Sequence, residues 1–139
     1  MRVVLDTNVV ISALLWRSTP YRLLEAIRRH ESLTLYSSPV LLEELTDVIT
    51  RPALSRRLAA IGKTSREILA DYLEAIELIE PVTVPRISRD PDDDHVLACA
   101  LAATAELAVS GDQDLLEIAG CEGTSIVTPA EALRRIEEK

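Results

Sequence analysis

Acidic side chains are the residues of this chain best placed to do chemistry. From Ile87 to Leu116 the sequence reads ISRDPDDDHVLACALAATAELAVSGDQDLL, where Asp90, Asp92, Asp93, Asp94, Asp112 and Asp114 bracket a nearly uncharged run of helical character. Two further acids stand at informative places: Asp6 ends the apolar run VVL, and Glu44 lies within PVLLEELTDVI. Helical periodicity sorts them. At about 100° per residue, Asp93 lines up with Val96, Leu97, Ala100 and Leu101, whereas Asp92 and Asp94 are each turned about 100° away. In the other helix the apolar centre falls among Leu41, Leu45, Val48 and Ile49, so Glu44 borders the inner face and Glu43 points nearly opposite. Asp6, Glu44, Asp93 and Asp112 are therefore the carboxylates expected to be drawn inward together.

Four half-buried carboxylates with no base between them repel one another and lose hydration, which raises their pKa values unless a cation sits among them. Hard oxygen donors without a Cys or His cluster suit one or two ions of Mg²⁺ or Mn²⁺. Such ions polarise a phosphoryl oxygen, lower the pKa of bound water and steady a leaving oxygen, which is phosphodiesterase chemistry. Asp114 either neighbours the metal or caps the helix QDLLEIAG. Each acid also has a plain structural use, since Asp and Asn often follow strands and cap helix N-termini, and DPDDD alone is an ordinary solvated loop. The joint placement of four acids after successive strands is what points to a site.

The elements that must position them can be read from period and caps. Five β-rich runs stand out: VVL at 3–5, LTLY at 33–36, VTV at 82–84, LAVS at 107–110 and SIV at 125–127. Ser18-Thr19-Pro20 opens a helix to about His30, and Ser38-Pro39 opens another to about Thr50. Thr64 with Glu67 forms a capping box for a helix ending at Pro81, Gly120 is a helix stop, and Thr128-Pro129 with Glu131 opens the last helix. Strands separated by helices predict a parallel sheet covered on both faces, with ligands bound outside the carboxyl ends of the strands where the strand order reverses. If the first and fourth strands are neighbours there, Asp6 and Asp112 meet.

The 139 residues suit one α/β domain spanning 1–139, with an aliphatic core because aromatic residues are scarce. Cys99 and Cys121 fit reduced thiols in a cytoplasmic protein, and no signal peptide or membrane span is expected at the N-terminus. A net charge of -8 argues at first against nucleic acid. Its distribution softens the objection: residues 1–80 carry 11 acids and 10 bases, against 12 and 5 for 81–139. Arg51, Arg56, Arg57, Lys63 and Arg66 form a stretch without an acid, suited either to RNA phosphates or to a solvated helical surface.

On these residues the chain resembles the PIN-domain ribonucleases, in particular the PIN-family toxin components of bacterial and archaeal toxin-antitoxin systems. VVLDTNVVISALL is similar to that family's opening strand and aspartate, and SSPVLLEELTDVITRP to the helix bearing its glutamate. DPDDDHVLACALAATAELAVSGDQDLL resembles its closing block. The resemblance implies a five-stranded parallel sheet in the order 3-2-1-4-5, dependence on Mg²⁺ or Mn²⁺, and endonucleolytic cleavage of RNA to a 5′-phosphate and a 3′-hydroxyl. It places Asp6, Glu44, Asp93 and Asp112 at the family's acidic positions, with Asn8, Ser110 and Asp114 in support. A cognate antitoxin that blocks the pocket and a homodimer are implied as well.

Two rivals are set beside this reading. A non-catalytic PIN-like binding module keeps the sheet and acts by association with protein or RNA, but predicts a broken acidic set. A phosphatase with Asp6 as nucleophile needs a second acid two residues on, where Asn8 stands. Within the catalytic reading, Glu44 or Asp93 orients the attacking water. Asn8 and Ser110 either hydrogen-bond the carboxylates or a phosphate oxygen, or cap the backbone. Trp16, Tyr21 and Tyr36 stack on bases or belong to the core, and His30 and His95 are read as surface residues without partners. Leu14, Leu15 and Trp16 with the Leu23, Leu24 and Ile27 stripe form either a contact surface or core.

Overall fold

Strand β1 (Arg2–Leu5) runs through the middle of the sheet, and what flanks it determines the site. The computed structural model describes residues 1–81 and 91–138, with side chains throughout except at 91–93. After β1 come α1 (Thr7–Leu15), α2 (Thr19–Arg29), β2 (Thr34–Ser37), α3 (Pro39–Ile49), α4 (Pro52–Ala60), α5 (Ser65–Ala75) and β3 (Ile76–Leu78). The second part holds α6 (Pro91–Ala102), β4 (Leu107–Val109), α7 (Gln113–Ile118), β5 (Gly120–Cys121), β6 (Thr124–Val127) and α8 (Pro129–Glu137). The strand order is β3-β2-β1-β4-β6-β5. Pairing is parallel from β3 to β6, so the expected 3-2-1-4-5 order holds for those five strands.

Period-2 alternation divides the core between two faces. Val3 and Leu5 of β1, Leu107 and Val109 of β4 and Val127 of β6 pack with α1, α2, α3, α5 and α8. Val4, Ala108 and Ile126 face the other way, against Val96, Leu97, Cys99 and Ala100 of α6 and Leu115 of α7. Burying each of the Val, Leu and Ile side chains stabilises the fold by about 1.5–3 kcal/mol. Leu23, Leu24 and Ile27 are buried in the first of these cores, which resolves that stripe as packing, whereas Trp16 remains 41% exposed.

The sheet has a sixth strand that the sequence did not announce. Gly120–Cys121 pairs antiparallel to β6 through a two-residue turn in which Glu122 and Gly123 both have positive φ, the backbone of a type I′ hairpin. The sheet is thus mixed at one edge. The stop of α7 also differs slightly: the left-handed residue is Ala119, with φ 64°, and Gly120 already belongs to β5.

A larger correction concerns the helix opened by Thr64. Its capping box forms, but the helix ends at Ala75 and not at Pro81. Ile76–Leu78 instead pairs with β2, and the Ile79 amide continues the ladder onto the Ser37 carbonyl at 2.9 Å. An open strand edge outcompetes further turns of a helix whose only local support is propensity. The run at 82–84 expected to be the third strand lies outside the described residues. Helix α4, which buries only Leu58, was not foreseen either.

Candidate active site

Pairing of β1 with β4 brings Leu5 opposite Val109, so the next residues of both strands leave the sheet together. The Asp6 amide donates to the Val109 carbonyl at 3.0 Å, and the Ser110 amide to that of Val127 at 3.0 Å. This is the point where the strand order reverses, the usual ligand position in open α/β sheets. Asp6 and Asp112 therefore meet as anticipated.

Both aspartates are N-caps. Asp6 accepts the Val9 amide at 2.9 Å and starts α1, while Asp112 accepts the amides of Asp114 and Leu115 at 2.8 and 3.4 Å and starts α7. Capping and site assembly thus coincide. Ser110 joins the two: its fully buried hydroxyl donates to Asp6 Oδ2 and accepts the Asp112 amide at 2.9 Å. Burial pushes the Asp6 carboxyl above the ordinary carboxylate range, and the Asp112 charge adds to that push. The Ser110 hydroxyl and the Val9 and Asn8 amides favour the ionised form without cancelling the rise. Among the described residues, no Arg or Lys forms an ion pair with either aspartate, and Asp112 Oδ2 accepts no hydrogen bond.

Glu44 lies in the second turn of α3, half-buried, while Glu43 is exposed as the helical projection requires. Both of its oxygens are engaged. Oε2 accepts the Thr7 hydroxyl at 3.2 Å, and Oε1 pairs with His95 Nδ1 at 2.6 Å. Thr7 directly follows Asp6, which ties the glutamate to the first turn of α1. His95 was read as a surface residue without a partner, and that expectation is corrected: its ring reaches from α6 to α3. The signal was invisible in the sequence because the two residues are 51 positions apart. Thr7 was missed for a similar reason, although its place after Asp6 was in view.

The Asp93 side chain lies outside the described residues, but its helix is placed. Helix α6 packs on β1 and β4 and runs into β4 through a short turn, so its N-terminal turn lies toward the carboxyl edge. Of the residues expected to share a face with Asp93, Val96, Leu97 and Ala100 are buried and Leu101 is half-buried, but Ala98 and Cys99 are buried as well, so the helix is covered on more than that face. Asp114 is half-buried in the first turn of α7, and Asn8 is exposed. No three His, Cys, Asp or Glu among the described residues stand close enough to hold a metal ion together. The donor set fits a hard divalent cation in its chemistry: two interacting carboxylates, one of them raised in pKa, with an unengaged oxygen and no neutralising base among the described residues.

The residues of the basic stretch stand in different settings. Arg51 pairs with Asp47 at 3.1 Å, Arg56 and Arg66 are exposed, and Arg57 donates to the Leu15 carbonyl at 2.7 Å with its guanidinium 5.4 Å from the Trp16 ring. Lys63 lies near Arg57 at the far end of α1.

A family model for the PIN domain matches residues 2–114. The chain is 32% identical over 121 residues to the uncharacterized protein MJ1680 of Methanocaldococcus jannaschii, covering 85% of this chain and 75% of that protein. Among solved structures, VapBC2 from Rickettsia felis bound to a DNA fragment from its promoter superposes with a TM-score of 0.64 over 92% of this chain and 98% of that one. At 16% identity that likeness bears on the fold.

Proposed function

This chain belongs to the PIN-domain family, and from that premise we propose that it is a divalent-metal-dependent endoribonuclease, the toxin of a toxin-antitoxin pair. One observation carries the catalytic part: Ser110 holds Asp6 and Asp112 together at the carboxyl edge, with no neutralising base among the described residues. Asp6, Glu44, Asp93 and Asp112 would hold one or two ions of Mg²⁺ or Mn²⁺, with Asp114 beside them. The bound ion supplies polarisation of a phosphoryl oxygen and activation of the attacking water. The chain's own groups keep the carboxylates in place: Ser110 fixes the aspartates, and Thr7 and His95 fix Glu44. Asn8, exposed at the start of α1, can hydrogen-bond a phosphate oxygen.

The toxin role, the cognate antitoxin and the homodimer rest on the motif resemblance, and the likeness in fold to VapBC2 is in keeping with the first two. RNA is the substrate of this proposal, in the cytoplasm, where the free thiols of Cys99 and Cys121 are kept reduced. No helix among the described residues is long and apolar enough to cross a membrane.

A second reading has one observation in its favour. No three donors cluster among the described residues, which leave out the Asp93 side chain, and a non-catalytic module that associates with protein or RNA is the competitor. The two are separated by incubating the protein and its Asp93→Asn variant with a mixed RNA pool and Mn²⁺, with and without EDTA, alongside calorimetry of Mn²⁺ binding. Cleavage that EDTA stops and the substitution abolishes establishes the nuclease. Neither binding nor cleavage by the unsubstituted protein establishes the module.

A further inference from the structure

Helix α1 has a second functional end. Where it stops, a cleft of about 340 Å³ opens between its last turn, α2, and the corner joining α4 to α5. Trp16 stands on its wall, 41% exposed and the single tryptophan of the chain. Two cation-aromatic pairs furnish the cleft: Arg57 over Trp16 at 5.4 Å and Arg17 over Tyr21 at 4.6 Å. The Arg57 guanidinium is held by the Leu15 carbonyl, and that of Arg17 by the Tyr21 hydroxyl at 2.6 Å.

Charge runs against the rest of the molecule. Arg17, Arg28, Arg57 and Lys63 line the cleft against Glu25 and Asp71, and Arg28 already pairs with Asp71 at 3.4 Å. In a chain of formal net charge -8, this is a local excess of positive charge beside exposed aromatic surface. Unpaired bases stack on aromatic and guanidinium planes while the phosphates between them seek cations. The cleft offers both.

Its distance from the acidic edge suits one continuous strand. Asn8 and Ser12 stand one turn apart on α1, the first exposed and the second half-buried, and exposed Trp16 follows the last residue of the helix. At about 1.5 Å per residue, the nine-residue helix separates the two ends by about 14 Å. That is roughly four nucleotides at a stacked rise of about 3.4 Å.

We propose that this cleft is a base-binding subsite for single-stranded RNA whose scissile phosphate lies at the Asp6–Asp112 edge. Trp16 stacks an unpaired base, Arg57 and Arg17 flank it, and Lys63 meets the backbone phosphate. The subsite deepens the proposed ribonuclease function and rests on it.

The lone tryptophan supplies the test. A mixed-sequence RNA octamer is titrated into the Asp6→Asn protein, which binds without cutting, and Trp16 fluorescence is followed together with the anisotropy of a dye on the RNA. Quenching that saturates with the anisotropy is expected. In the same background Trp16→Ala weakens binding about 10- to 100-fold, Trp16→Phe restores most of it, and thermal midpoints show both variants folded. Binding without quenching, or equal affinity in Trp16→Ala, overturns the subsite while leaving the nuclease intact if the unsubstituted protein cuts the octamer with Mn²⁺. Quenching that follows protein concentration, and not RNA, assigns the cleft to contact between copies and overturns the proposal. An octamer neither bound nor cut removes the ribonuclease function and the subsite together.

Discussion

Asp6 is buried and accepts the hydroxyl of Ser110, whose oxygen in turn accepts the backbone amide of Asp112, whereas Glu44 keeps 24% of its side chain in water and ends on the ring of His95. Both carboxylates sit near the first turn of α1, but they hold their charge differently. Around Asp6 the fold concentrates negative charge that neighbouring hydroxyl and amide groups only partly offset. Around Glu44 each oxygen already has a hydrogen-bond donor. On the proposed function, a cation entering the site would gain most from the aspartate pair, and the glutamate arm would serve chiefly to orient.

Removing charge from the aspartate pair should have the largest effect. Asp6→Asn preserves the cap on Val9, since Asn and Asp cap about equally well, yet should lower RNA cleavage by about 100- to 1,000-fold. The same variant should melt at a higher temperature than the unsubstituted protein in EDTA, because an ionised buried carboxyl is gone. Mn²⁺ should raise the midpoint of the unsubstituted protein alone. A lower midpoint in EDTA would show that Asp6 stabilises the fold and that the contrast with Glu44 is mistaken.

Ser110→Ala comes next. It strips one donor from Asp6 and leaves the Asp112 amide without its acceptor, so cleavage should fall about 10- to 100-fold. Stability should fall by about 1–3 kcal/mol, opposite in sign to Asp6→Asn, as chemical denaturation would show. Thr7→Val and His95→Ala loosen the glutamate arm only, with cleavage expected to fall about 10-fold or less and Mn²⁺ affinity to change less than in Asp6→Asn. If calorimetry finds metal binding lost equally in all of these variants, the two settings are one.

The smallest effect is on pH dependence. The Asp6 carboxyl is raised in the folded chain, so from about pH 4 upward the folded state holds on to a proton that the unfolded state has released. Stability without divalent ions should then fall as pH rises through the folded value and level off beyond it. Asp6→Asn should lack this decline. Melting curves from pH 4 to neutrality in EDTA measure the difference, and parallel curves for the two proteins would refute the raised pKa.

Helical projection was enough to set half-buried Glu44 apart from exposed Glu43, because one-sided burial of α3 leaves a period in the residues themselves, whereas in α6 the burial of Ala98 and Cys99 beside Val96, Leu97 and Ala100 leaves no such period to read. Asp6 and Asp112 were legible once β1 and β4 were taken as neighbours. His95 was not, since its partner comes from another helix and no local spacing records it. Basic residues without an intervening acid read as a phosphate track or a solvated surface, and the turn of Arg51 to Asp47 and of Arg57 to the end of α1 was not legible in that stretch. The end of α5 was misplaced for a related reason. Ile68, Tyr72, Ile76 and Ile79 keep a helical spacing past Ala75, and only the open edge of β2 explains why the chain extends there. Non-local partners decide such places, and a single sequence does not carry them.

The hairpin that adds β5 has a bearing on self-association. An exposed strand edge is a template on which another chain can add itself. Beyond β6 the sheet ends in two residues, Gly120 and Cys121, followed at once by a tight turn. An incoming strand finds a ladder too short to repay the entropy of docking there. The small antiparallel strand thus works as a terminator, guarding the β6 side of a parallel sheet against growth by strand addition.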